Sequence, residues 1–211
     1  MLKLFRRGLF VAVLAVVWLI GKDMLPMITP TINGVVSAGE QVLSTVTMAT
    51  NARASLSVPA TGEIDVGFSP GGTAELVVVS AIRASRQNIR VAAYSFTSKV
   101  IAKELVEAHR RGIDVQVVLD KSQLSERYTS ATFLANAGIP VRIDSEHAIQ
   151  HNKYIVVDGR HLQTGSFNYT SSAASRNAEN VILMWNSPSL AGVYLRNWNE
   201  HWAHARSTTP P

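Results

Sequence analysis

From Glu63 to Asp144 the sequence alternates between two hydrophobic periods, and that alternation leaves few folds open. "EIDVGF" alternates apolar and polar residues and stops at "SPGG", as a strand entering a turn does. "TAELVVVSAIRASR" places apolar residues at helical spacing, and "NIRVAAYSF" returns to a strand. "SKVIAKELVEAHRRG" predicts an amphipathic helix with Ile101, Leu105 and Ala108 on one face, Ser98 as N-cap and Gly112 at the stop. "IDVQVVLD" is the next strand, "SERYTSATFLANAG" a helix ending on Gly138, and "IPVRID" another strand. Such a succession predicts an α/β layered domain with a largely parallel sheet. In such sheets ligands gather at the carboxyl ends of strands, where Asp120 and Asp144 sit; both read first as turn residues.

The ends of the chain read differently. "MLKLFRRG" is basic and Leu9 to Ile20 is an uncharged apolar run, the layout of a signal peptide or membrane anchor over residues 1–23. Twelve residues are short for a span of about 20. Residues 24–60 are rich in Thr, Ser, Ala and Val with Pro26, Pro30 and Pro59, and read as a linker. The compact domain is expected over 61–211. The location expected from this layout is export, periplasmic or secreted, or attachment to a membrane. The net charge is +5, of which Lys3, Arg6, Arg7 and Lys22 against Asp23 and Glu40 account for +2, so the domain suits a polyanionic ligand without demanding one. With no cysteine, thiolate metal sites, cysteine nucleophiles and disulfides are all excluded.

The chemistry concentrates in "HNKYIVVDGRHLQTGSFNYT", residues 151–170. Asp158-Gly159 between two strand-like runs predicts a two-residue hairpin, which explains Asp158 as a turn residue. His151 and Lys153 are two apart on extended chain and share a face. Ser166 and Asn168 repeat that spacing after the hairpin, and Gly165 permits close backbone approach. Two such pairs brought together offer an imidazole, an ammonium, a hydroxyl and a carboxamide, the equipment for holding a phosphate and attacking it.

These residues also match a known pattern. His151, Lys153, Asp158, Gly165, Ser166 and Asn168 satisfy H-x-K-x4-D-x6-G-S-x-N, the signature of the phospholipase D superfamily. The resemblance extends into "VGFSPGG", "AYSFTS", "RRGIDVQVVLD" and "RNAENVILMWN", and from Ile64 onward the chain resembles the short bacterial endonucleases of that superfamily, which carry one motif per chain. The resemblance implies a layered α-β-α domain with a mostly parallel mixed sheet. It implies that His151 is a nucleophile forming a phosphohistidine, that Lys153, Ser166 and Asn168 bind the phosphate, and that Glu179 accepts a hydrogen bond from the other imidazole nitrogen. It implies no cofactor and no catalytic metal.

The other histidines read as bland. His147 and His151 are four apart, but the strand-like flanks oppose a zinc-binding helix. His109 sits beside Arg110 and Arg111 on a helix, and His201 and His204 accompany a Leu195, Trp198, Trp202 stripe that reads as core. His109, His147, His161, His201 and His204 all lack a lysine two residues on, so a two-histidine site requires a homodimer sharing one active site. Three functions remain: a nuclease, favoured by the short-endonuclease resemblance; a phospholipase D-type lipid hydrolase, favoured by the N-terminus; and an inactive adaptor binding nucleic acid or lipid.

Overall fold

The computed structural model describes residues 58–59 and 61–208. The expected signal or anchor of residues 1–23 lies outside the described residues, as does nearly all of the linker. The elements run β1 (Ile64–Ser69), α1 (Thr73–Ala84), β2 (Asn88–Ala93), α2 (Lys99–Arg110), β3 (Asp114–Asp120), a short 3-10 turn at Lys121–Leu124, α3 (Ala131–Asn136), β4 (Val141–Asp144), β5 (Lys153–Val157), β6 (His161–Gly165), α4 (Ser171–Ser175), β7 (Glu179–Met184), α5 (Pro188–His204) and β8 (Arg206–Ser207). Helix α2 begins as its sequence dictates: Ser98 Oγ accepts from the Ile101 amide and donates to Glu75, and Gly112 takes positive φ after the last turn.

All eight strands form one sheet in the order β1-β7-β6-β5-β2-β3-β4-β8. Only β2 with β3 and β3 with β4 pair in parallel; the other pairings are antiparallel. The sheet is mixed, as expected, but mostly antiparallel where a mostly parallel one was expected, with two parallel pairings of seven. Helical crossovers are long enough to return the chain in the same direction, whereas the Asp158-Gly159 turn can only reverse it. Asp158 and Gly159 take φ of 53° and 62°, as a type I′ hairpin needs.

The sheet is covered on both faces. Ile82 of α1, Ile101 and Leu105 of α2 and Leu134 of α3 pack with Val91, Val117 and Ile155 on one side. Ala191 and Trp198 of α5 pack with Ala92, Val118, Tyr154 and Val156 on the other. Strands buried on both faces explain the unbroken "KYIVV", all five residues of which are buried. Trp198 is satisfied inside by donating Nε1–H to the Val91 carbonyl at 2.9 Å. Truncating a side chain such as Leu105, fully buried, costs about 2–5 kcal/mol.

Strand directions decide where chemistry collects. The carboxyl ends of β2, β3, β4 and β6 and the amino ends of β5 and β7 lie at one edge of the layer, because Ala93 pairs with Lys153, Asp120 with Asp144, and Gly165 with Val181.

Candidate active site

His151 stands two residues before Lys153, which opens β5, Ser166 follows β6, and Glu179 opens β7. Three neighbouring antiparallel strands thus deliver His151, Lys153, Ser166 and Glu179 to the same end of the sheet. His151 and Ser166 are exposed while Lys153 is buried, so reactive groups line an open face above a fixed ammonium. Lys153 Nζ donates to the His151 carbonyl at 2.9 Å and lies 3.3 Å from His151 Nδ1. Burial lowers the Lys153 pKa from its ordinary 10.5, and the charge of Glu179 partly opposes that.

Gly165 is required by contact. A Cβ there would lie 2.2 Å from the Asn180 carbonyl oxygen, so only glycine lets β6 and β7 close at this point. That closure puts Ser166 beside Glu179: Ser166 Oγ donates to Glu179 Oε2 at 2.6 Å and accepts from the Asn180 amide at 3.1 Å. Asn177 Nδ2 donates to Glu179 Oε1 at 3.0 Å. Asn168 belongs to the same loop, and its Oδ1 is buried with no hydrogen-bond partner among the described residues.

The structure brings His151 to Lys153 and Ser166 to Glu179. Among the described residues no hydrogen bond joins Glu179 to His151. Asp158 lies at the far end of β5, about 20 Å from His151 at the rise of an extended strand. Its carboxylate accepts from three successive amides, Arg86 at 3.0 Å, Gln87 at 2.8 Å and Asn88 at 3.0 Å. It anchors the hairpin to the turn before β2.

Sequence reasoning missed two features. Tyr94, just past β2, sets its ring 4.6 Å from the His151 imidazole and 5.4 Å from Lys153 Nζ, an aromatic wall against which both groups rest. Its signal was its place at a strand's carboxyl end. The second is Asp144, at the carboxyl end of β4, which meets His147, His201 and His204. Burial alone would raise this carboxyl group; hydrogen bonds from His201, His204 and the Glu146 amide bring it down to about 2. The spacings D-x-x-H and H-x-x-H were its signal. Asp120 does act as a turn residue, accepting from the Ser122 and Gln150 amides.

Residues 78–202, which include every motif position and Glu179, match the family described as cardiolipin synthase, PLD-like domain. The chain belongs to the phospholipase D superfamily. A phospholipase D of Rickettsia prowazekii is 37% identical over 144 residues, 68% of this chain and 70% of that protein. Human mitochondrial cardiolipin hydrolase is 29% identical over 142 residues, of which this chain spans only 56% of the length. Among solved structures, Nuc from Salmonella typhimurium, a phospholipase D family member, superposes with a TM-score of 0.68 at 43% identity, covering 70% of this chain and 99% of that one. The chain is accordingly a phosphodiesterase of the phospholipase D superfamily, with the layered mixed-sheet fold of its relatives.

Proposed function

We propose that this phosphodiesterase is an endonuclease that hydrolyses nucleic-acid diesters through a phosphohistidine. The observation that carries the reading is a set of exposed cations at the end of the sheet that carries His151. Lys99, Lys121, Arg127 and Arg176 follow β2, β3 and β6 at the His151 end, and none is in an ion pair among the described residues. Unmatched cations spread around a reacting centre suit a polyanion that continues beyond the scissile phosphate. The 43% identity to Nuc supports the same reading.

The resting contacts suggest how the step proceeds. A bound phosphate draws Lys153 Nζ from His151, since an anionic oxygen is a stronger acceptor than a neutral imidazole, and the Ser166 hydroxyl turns to it as one of the donors that replace its hydration. Once Lys153 has left, His151 Nδ1 gains a proton from solvent as Nε2 gives one up, and Glu179 can accept that Nδ1–H and fix the ring for attack through Nε2. The P–N bond forms as the ester P–O bond breaks and the leaving oxygen takes a proton from a protonated imidazole on the opposite side of phosphorus. Water then attacks phosphorus, giving a proton back to the opposing imidazole, and the P–N bond breaks to restore His151. His151→Ala removes turnover in this scheme while leaving the fold intact. Glu179→Gln lowers the rate by about 10²–10⁴ with binding retained.

A lipid reading has one observation of its own. Leu124, Tyr128 and Ile149, at the same end of the sheet, are 72%, 69% and 54% exposed, as groups meeting a membrane surface would be. The apolar run of residues 9–20 supports delivery to or across a membrane, and amino-terminal sequencing of the exported chain tests whether it is removed. The deciding experiment for substrate is incubation with plasmid DNA, single-stranded DNA, RNA, and cardiolipin or phosphatidylcholine vesicles. Cleavage of DNA that weakens steeply with salt is expected. Vesicle hydrolysis with DNA untouched, or inertness toward both DNA forms and toward RNA, would overturn the nuclease reading.

A further inference from the structure

We propose that Asp144, His147, His201 and His204 form a binding site for one divalent transition-metal ion, with zinc the best match to the donor set. The site is separate from the phosphodiesterase motif and holds whichever diester is cleaved. Asp144 Oδ2 lies 3.3 Å from His147 Nδ1, 2.6 Å from His201 Nδ1 and 3.1 Å from His204 Nε2. The four donor atoms all lie within 4.8 Å of one another. Four ligands held at about 2.0–2.2 Å from a tetrahedral zinc are separated by about 3.3–3.6 Å, so small rotations of the side chains bring these donors into a coordination shell.

The chemistry of the set favours an ion over a plain hydrogen-bond cluster. Three imidazole nitrogens from a loop and from one helix turn converge on a single oxygen, while Asp144 Oδ1 is already occupied by the Glu146 amide at 2.9 Å. As a cluster of hydrogen bonds this crowds three donors onto one acceptor. Around a cation, the same nitrogens offer lone pairs instead, and one carboxylate with three neutral imidazoles leaves a dication only partly neutralised. Nitrogen and oxygen donors in fourfold array suit zinc, and four protein ligands make a closed, structural site.

The surroundings are those of ligands held in place. Asp144 is fully buried and His201 is 8% exposed, whereas His147 and His204 are 50% and 31% exposed and give the ion an entry path. His201 Nε2 lies 3.2 Å from the Asn152 carboxamide, whose oxygen and nitrogen can exchange places to accept the ring N–H left when Nδ1 binds metal. Lys121 Nζ donates to the His147 carbonyl at 3.1 Å. Asn152 directly follows His151, so an ion here would fasten the end of α5, the end of β4 and the segment that carries the motif histidine.

The test uses the full chain, stripped by dialysis against a chelator and titrated with zinc chloride in a calorimeter. The same chain is loaded with cobalt(II) for visible absorption. Saturable binding at about one ion per chain, intense d–d bands of tetrahedral cobalt and a raised unfolding midpoint are expected. His147→Ala combined with His204→Ala, at two solvent-accessible positions, should weaken binding at least about 100-fold and remove the cobalt bands while circular dichroism is unchanged. Absence of saturable zinc binding by the wild-type chain overturns the proposal. So does zinc affinity equal in the wild type and the double variant. The wild-type measurement stands alone should the double variant fail to fold.

Discussion

Lys153 Nζ rests 3.3 Å from His151 Nδ1, so the residue expected to neutralise a phosphate occupies the imidazole until a phosphate arrives. Its ammonium is less favoured here than in water, because burial outweighs the attraction of Glu179. The sign follows directly: the proton leaves Lys153 at a pH below the ordinary 10.5, and the neutral amine no longer holds the phosphate. The alkaline limb of the kcat/KM profile, which reports the free enzyme, should therefore fall below 10.5. In Glu179→Gln that limb should move lower still, since the opposing charge is gone. An alkaline limb unmoved by Glu179→Gln would remove Lys153 from the profile.

Asp158 should be worth stability and almost nothing in turnover. Asp158→Ala leaves the Arg86, Gln87 and Asn88 amides without their acceptor and places alanine at a φ of 53°. We expect a loss of about 2–3 kcal/mol in urea unfolding, reduced from the full sum because two of these amides are exposed. Asp158→Asn keeps a side-chain acceptor and tolerates positive φ, so it should lose about 1 kcal/mol. A collapse of kcat in folded Asp158→Asn would contradict this division of labour.

Hydrolysis should persist in excess EDTA. Among the described residues the motif supplies its own cation in Lys153 and gathers one carboxylate, Glu179, which is too few for a magnesium centre. Chelation should instead lower the unfolding midpoint by emptying the Asp144 cluster. Rate measurements at temperatures well below that midpoint separate the two effects. Loss of all turnover there, restored by a divalent ion, would sink the metal-free mechanism.

Local signals carried most of the elements. Period changes marked β1 through β4, and Asp158-Gly159 marked the hairpin. The helix expected over residues 125–138 shrinks to Ala131–Asn136 because the preceding loop is wired elsewhere: Gln123 Oε1 accepts from Thr129 Oγ1 and the Phe96 amide, and the Ser130 amide donates to the Phe96 carbonyl. Those contacts span about thirty residues and leave no periodic trace. Strand order is equally nonlocal, since β1 closes on β7 across more than a hundred residues. The motif was legible because its residues are close in sequence. Asp144 and His201, 57 residues apart, were not.

The open face of the motif leads to a final prediction about assembly. Displacing one ester oxygen needs a nucleophile on one side of phosphorus and an acid on the other, and two imidazoles in opposite protonation states provide both near neutral pH. One chain offers only one. His109 ends α2 and His161 opens β6, both at the far end of the sheet, while His147, His201 and His204 are committed to Asp144. His151 and Ser166 are exposed, and the buried Oδ1 of Asn168 lacks a donor within the described residues. A second copy related by a twofold axis would set its own His151 across the phosphate and double the set of Lys153, Ser166 and Asn168 around it. We expect a C2 homodimer with one shared site. Co-assembly of wild-type chains with tagged His151→Ala chains, followed by isolation of the heterodimer, should give a species with almost no turnover, because its single imidazole cannot both attack and protonate. Half of the wild-type rate in that heterodimer, or a fully active monomer by light scattering at assay concentration, would show that each chain works alone.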